Sequence, residues 1–193
     1  MRSDDDLPHV RPVNGDRTSI ARRGWLRAAA AFTAAWAAGL DAPQASANDL
    51  VLGQAAPPLA LRALDGRTLR TTDLIGDVVL VTFWATWCDP CRQELPILSA
   101  FASQYAARGL RVLGFSLDGR GHLAQVRAMA SHLSFPVGLL GSAWAGGYGR
   151  IWRIPVSFVI DRAGILRYDG WQARRPAWTQ ARLERVVVPL LAR

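Results

Sequence analysis

The run over 78–86 is apolar, β-branched and aromatic, with almost no polar alternation. Such a run suits a strand buried on both faces, at the centre of a sheet. A second run of the same kind covers 111–117 and closes at Asp118-Gly119. Between them a helical period runs over 91–108 and stops at Gly109, with Pro96 expected to bend the helix rather than end it. An amphipathic helix is expected over 122–133, a short strand over 135–140, and a glycine-rich turn or short helix over 143–152. A further strand over 154–161 opens on Ile154-Pro155, turns at Ala163-Gly164 and pairs with 165–172, and a helix over 176–191 closes the chain. Ahead of the first run, 48–56 reads as an extended lead-in and Pro57-Pro58 as a loop. The stretches 59–63 and 68–69 flank Asp65-Gly66 as a hairpin, and 73–77 is a turn or short helix. Alternating strands and helices, then an antiparallel pair and a helix, predict an α/β fold. Its central mixed β-sheet is expected to carry helices on both faces. Without repeat or linker, 48–193 reads as one domain.

Residues 1–47 follow a different pattern. A polar stretch leads to Ala21-Arg22-Arg23-Gly24-Trp25-Leu26-Arg27, then to an alanine-rich apolar run over 28–40, then to Ala45-Ser46-Ala47. This resembles a bacterial twin-arginine signal peptide cleaved after Ala47, with Ala21 and Trp25 departing from the usual residues. The apolar run is short of the ~20 residues that span a bilayer. A retained N-terminal anchor is the alternative, and either way the protein is expected to be exported, with a periplasmic localisation.

Of 193 residues, 23 are basic, 15 acidic and half hydrophobic, for a formal charge of +8. All the basic residues are Arg, and they are scattered among acidic and apolar positions. No basic run or nucleic-acid motif is present, so no nucleic-acid partner is expected.

The chain has two cysteines, Cys88 and Cys91. A disulfide between them closes a tiny loop and adds little chain-entropy stabilisation, so its value is chemical. The strand-before, helix-after context puts Cys88 at a helix N-terminus, where free N–H groups and the macrodipole favour a thiolate. Pro90 suits the first helical turn. Cys91, one turn inward, is the expected resolving thiol. A zinc site needs about four ligands and finds no second Cys pair. Covalent haem attachment needs His where Arg92 stands. No metal and no cofactor are expected.

The segment Val79-Leu80-Val81-Thr82-Phe83-Trp84-Ala85-Thr86-Trp87-Cys88-Asp89-Pro90-Cys91-Arg92-Gln93-Glu94-Leu95-Pro96 resembles the active-site segment of the TlpA/ResA-like thioredoxin family, which includes the DsbE/CcmG-related proteins. Gly53-Gln54 with Pro57-Pro58, Asp65-Gly66 with Leu69, and Ile154-Pro155 resemble further parts of it. The likeness covers roughly residues 50–190. It implies a thioredoxin-like fold with an N-terminal β-hairpin and a central insert over 122–152, and thiol–disulfide exchange through Cys88 and Cys91. It implies a cis Pro155 beside the cysteines, with backbone groups of Ile154 open to a substrate strand. It implies that Trp87, Asp89 and Pro90 border the substrate, and that Glu94 exchanges protons with the thiols. Thr82 stands where cytoplasmic thioredoxins carry a buried Asp, so Glu94 is the remaining proton acceptor. A carboxylate at Asp89 opposes the Cys88 thiolate, which predicts a reducing potential nearer ~−270 mV than ~−120 mV. The implied partners are an exported protein with an oxidised Cys pair, such as apocytochrome c or a copper-handling protein, and a membrane electron donor of CcdA/DsbD type. A peroxiredoxin-like peroxide reductase and a non-enzymatic copper-binding module are the alternatives.

Overall fold

The computed structural model describes residues 50–192, so the signal-peptide reading of 1–47 and the cleavage after Ala47 lie outside the described residues. Strand β3 (Val78–Trp84) is buried along its whole length, as an unalternating apolar run requires. It pairs in parallel with β4 (Leu110–Ser116) and antiparallel with β6 (Val156–Ile160). Strands β5 (Val137–Leu139) and β7 (Leu166–Asp169) complete a five-stranded mixed sheet of order β5-β4-β3-β6-β7.

Side chains of a strand alternate between faces. Val78, Leu80 and Trp84 of β3 therefore belong to one core, with buried residues of the helices α1 (Asp89–Tyr105), α2 (Leu123–Ala130) and α3 (Gln180–Leu191). Val79, Val81 and Phe83 belong to a second core, with Leu61, Ala145, Tyr148 and Phe158. The sheet is flanked by helices as expected. The distribution differs from the sequence expectation of helices on both faces, because all three α-helices of the described residues feed the first core. The second core is closed by the antiparallel hairpin β1 (Ala60–Arg62) and β2 (Thr68–Arg70), and by the glycine-rich segment around a single 3₁₀ turn at Gly146–Tyr148. The hairpin turns at Gly66 (φ 92°), as the Asp65-Gly66 signal predicts. It is tied to β5 by Leu64 N–H donating to Val137 O (2.8 Å). A Cβ on Gly138 would strike Arg62 O, so only glycine allows this approach.

Helix α1 runs through Pro96 to Tyr105, and one 3₁₀ turn leads to left-handed Gly109 (φ 81°). Helix α3 starts at Gln180, four residues later than its pattern suggests. Thr179 caps it, accepting from Arg182 N–H, and Trp178 instead drops into the first core. The lead-in also does more than extend. Gly53 N–H donates to Leu166 O and Leu166 N–H to Gln54 O (both 2.9 Å), so it lines the open edge of β7. Among the described residues no helix is long and apolar enough to cross a membrane.

Candidate active site

Strand β3 delivers the chain to the helix-covered face, and Ala85, Thr86 and Trp87 turn it into α1. Cys88 is the N-cap of α1, and its Sγ accepts from Cys91 N–H at 3.3 Å. A first-turn N–H thus donates to this sulfur at the positive end of the helix, which favours its anionic form. The two cysteines form a disulfide, with S–S 2.07 Å and Cα–Cα 5.2 Å. Cys88 keeps 5 % exposure and Cys91 none. An incoming sulfur can reach only Cys88. Trp87 stands out at 65 % exposure beside it, whereas Trp84 is sealed in the core.

Glu94 lies one turn along α1 from Cys91, on the same side. It is 2 % exposed, which excludes a solvated first-turn acid. Its Oε2 accepts Trp178 N–H at 2.7 Å, and its Oε1 accepts the Thr82 hydroxyl at 3.5 Å. Ser157 Oγ donates in turn to Thr82 Oγ1 at 2.9 Å. Burial pushes the carboxyl up to about 7 from an ordinary 4.5, against the pull of the Trp178 N–H, the Thr82 hydroxyl and the Arg182 charge. A group poised there can take or give a proton near neutrality.

Asp89 is placed where a carboxylate would repel a Cys88 thiolate, but it does not stand alone. It forms an exposed ion pair with Arg92, whose other guanidinium nitrogen donates to Thr86 O at 3.0 Å. The two charges oppose each other beside Cys88, so the repulsion argument loses most of its force. Asp89→Asn is accordingly expected to shift the midpoint potential by less than about 20 mV, because an exposed pair is worth little and 30 mV equals about 1.4 kcal/mol. Titration against glutathione reads this directly, and a larger shift would restore Asp89 as a tuning group.

Pro155 follows a cis bond from Ile154. The β3–β6 register sets Phe83 against Val156, so Pro155 comes opposite Trp84, where β3 hands over to the cysteine loop. Pro90 is exposed in the first turn of α1, and Ile154 is half-buried. The fold thus brings Cys88, Cys91, Glu94, Trp87, Asp89, Pro90, Ile154 and Pro155 to one end of the sheet.

Sequence reasoning overlooked Asp118. Four percent exposed, it accepts Thr86 N–H (2.8 Å), the Thr86 hydroxyl (2.7 Å) and the Ser116 hydroxyl (2.7 Å). It pins the loop two residues before Cys88. An aspartate closing a strand reads as a turn, and nothing in the spacing announces a partner 32 residues away.

A cysteine pair at the start of a helix, fed by the central strand of a mixed sheet whose β6 begins at the same end, defines a thiol–disulfide oxidoreductase of thioredoxin-like fold. A family model described as AhpC/TSA family matches residues 52–169, and the chain belongs to that family. The thioredoxin-like protein YneN of Bacillus subtilis is 32 % identical over 117 residues, covering 60 % of this chain and 68 % of the relative. The thiol-disulfide oxidoreductase ResA of Bacillus thuringiensis is 30 % identical over 121 residues, covering 62 % and 69 %. The crystal structure of a thiol:disulfide interchange protein of the thioredoxin family from Chlorobium tepidum superposes with a TM-score of 0.60 at 27 % identity, covering 73 % of this chain and 98 % of that one. With these relatives the protein is a thiol–disulfide oxidoreductase of ResA/DsbE type.

Proposed function

We propose that this protein is exported and reduces disulfides in other periplasmic proteins, using Cys88 as nucleophile and Cys91 as resolver. One observation carries the reading: a barely reachable N-cap sulfur joined to a sealed partner, one helical turn from a buried carboxyl that titrates near neutrality. The Cys88 thiolate attacks one sulfur of the substrate disulfide and the other substrate sulfur leaves as a thiolate. Glu94 takes the proton of Cys91, which attacks Cys88 Sγ and expels the second substrate thiolate. The substrate gains two electrons, one of its thiolates takes the proton back from Glu94 and the other takes one from water, and the enzyme ends as its Cys88–Cys91 disulfide. Trp87, Asp89 and Pro90 border the entering chain, and Ile154 offers backbone groups ahead of Pro155. Apocytochrome c or a copper-handling protein is the substrate class, and a membrane donor of CcdA/DsbD type returns the electrons. Export rests on the twin-arginine-like segment. The peroxide reading fits less well, because the Thr86 hydroxyl is committed to Asp118 and the two sulfurs bond each other.

In Cys91→Ser the mixed disulfide on Cys88 should persist, and mass spectrometry of the trapped species should name an exported protein with a Cys pair. Wild-type protein that neither reduces insulin nor exchanges with glutathione would overturn the enzyme reading.

A further inference from the structure

Three indoles gather at the same end of the sheet as Cys88. Trp171 follows β7, and Trp152 lies three residues before Pro155. They stack with centroids 5.5 Å apart and planes 10° from parallel. The guanidinium of Arg153 covers both rings at 5.3 and 5.7 Å. Its Nη2 donates to Gly170 O (2.7 Å) and Trp171 O (2.6 Å), and Trp171 Nε1–H donates to Tyr148 O (3.2 Å). The wall is therefore held before any ligand arrives. Trp144, Leu50, Arg150 and Asp169 complete a cleft of about 370 Å³.

Two features say what it takes. Trp152 and Trp144 are 70 % and 50 % exposed, an expensive display of aromatic surface. Asp169 already accepts Trp171 N–H (2.9 Å) and Gln172 Nε2 (3.0 Å), whereas Arg150 is exposed and meets no carboxylate among the described residues. The rim therefore presents a free cation beside indole faces. A polypeptide residue with an aromatic side chain next to an acidic one complements both.

Position sets the distance. The cleft lies at the end of β7, two strands across from the end of β3, and its Leu50 and Trp171 pack on the second core, whereas the cysteines belong to the first. At about 4.8 Å per strand the lateral offset is roughly 10 Å, and a chain that reaches both must also round the end of the sheet, which takes roughly three to six extended residues. Resting on the disulfide-reductase reading, we infer that the Trp144–Trp152–Trp171 cleft is a specificity subsite. It seats an aromatic residue with an acidic neighbour, roughly three to six residues from the disulfide cysteine of the substrate polypeptide.

The test uses the full chain, pre-reduced, with short synthetic peptides closed by a Cys-x-x-Cys disulfide. One set carries Trp-Glu, and a second Trp-Gln, at spacings of roughly three to six residues before the first Cys or after the second; the control carries Ala-Ala. The better Trp-Glu peptide should show kcat/KM about tenfold above control, mainly through KM, as contact away from the reacting sulfur predicts. Trp152→Ala should bring the ratio close to one, Trp152→Phe should keep most of it, and Arg150→Gln should abolish the preference for Glu over Gln. Circular dichroism checks that each variant is folded. A wild-type ratio below twofold, or a ratio untouched in folded Trp152→Ala, sinks the subsite alone. Failure to reduce either peptide and glutathione disulfide as well sinks the reductase reading, and the subsite with it.

Discussion

Glu94→Gln is expected to slow resolution of the mixed disulfide by about 100-fold at pH 7, the usual loss when a positioned acid–base group is removed. The wild-type rate should show an inflection near pH 7, where the buried carboxyl titrates, and the variant should lose it. Gln is the informative replacement because its amide oxygen still accepts the Trp178 N–H. Stability separates a chemical role from a structural one. The folded-state pKa, about 7, lies above the ordinary 4.5, so the folded chain binds this proton more tightly. The contribution of Glu94 is then fully present below pH 4.5 and is lost as pH rises through 7. A shift of that size is worth about 3 kcal/mol. Urea denaturation of the oxidised protein at pH 5 and pH 8 should show this fall in wild type and a nearly flat response in Glu94→Gln. A variant that is more stable at pH 8 yet slow in resolution would tie the carboxyl to the proton transfer. A variant that resolves at the wild-type rate would remove Glu94 from the mechanism.

Asp118→Ala is expected to cost about 3 kcal/mol and to lower kcat/KM at least tenfold. Three donors lose their acceptor at once, and a buried donor left alone costs about 1–3 kcal/mol. Thr86 is half-buried, so water recovers part of that loss. The kinetic effect follows from position, because Thr86 precedes Cys88 by two residues and small displacements of a nucleophile cost rate steeply. Thr86→Val deletes only the hydroxyl bond and should cost about 1 kcal/mol. Thermal melts and the rate of glutathione exchange report the two effects separately. An Asp118→Ala protein that melts low but exchanges normally would reduce the residue to a structural tie.

Much of this was visible along the chain. The 78–86 run became the central strand because a segment without polar alternation can only be buried on both faces, and Cys88 fell at the helix start because Pro90 and the break after Trp84 put it there. Glu94 was visible as an acid one turn from Cys91, but not as a buried one. Its burial depends on Trp178, 84 residues away, whose N–H it accepts. The late start of α3 has the same origin, since the periodicity of 176–191 carries no sign that Trp178 is needed in the core.

Local chemistry thus determined the order of elements, the redox pair and its place at a helix N-terminus, since each depends on neighbours a few positions apart. Tertiary structure alone decided the environment of that pair: a carboxyl pushed toward neutrality, an aspartate latching the loop, and a tryptophan cleft at the same end of the sheet. Those effects come from desolvation and from contacts between residues far apart in the chain, and a linear pattern holds no measure of either.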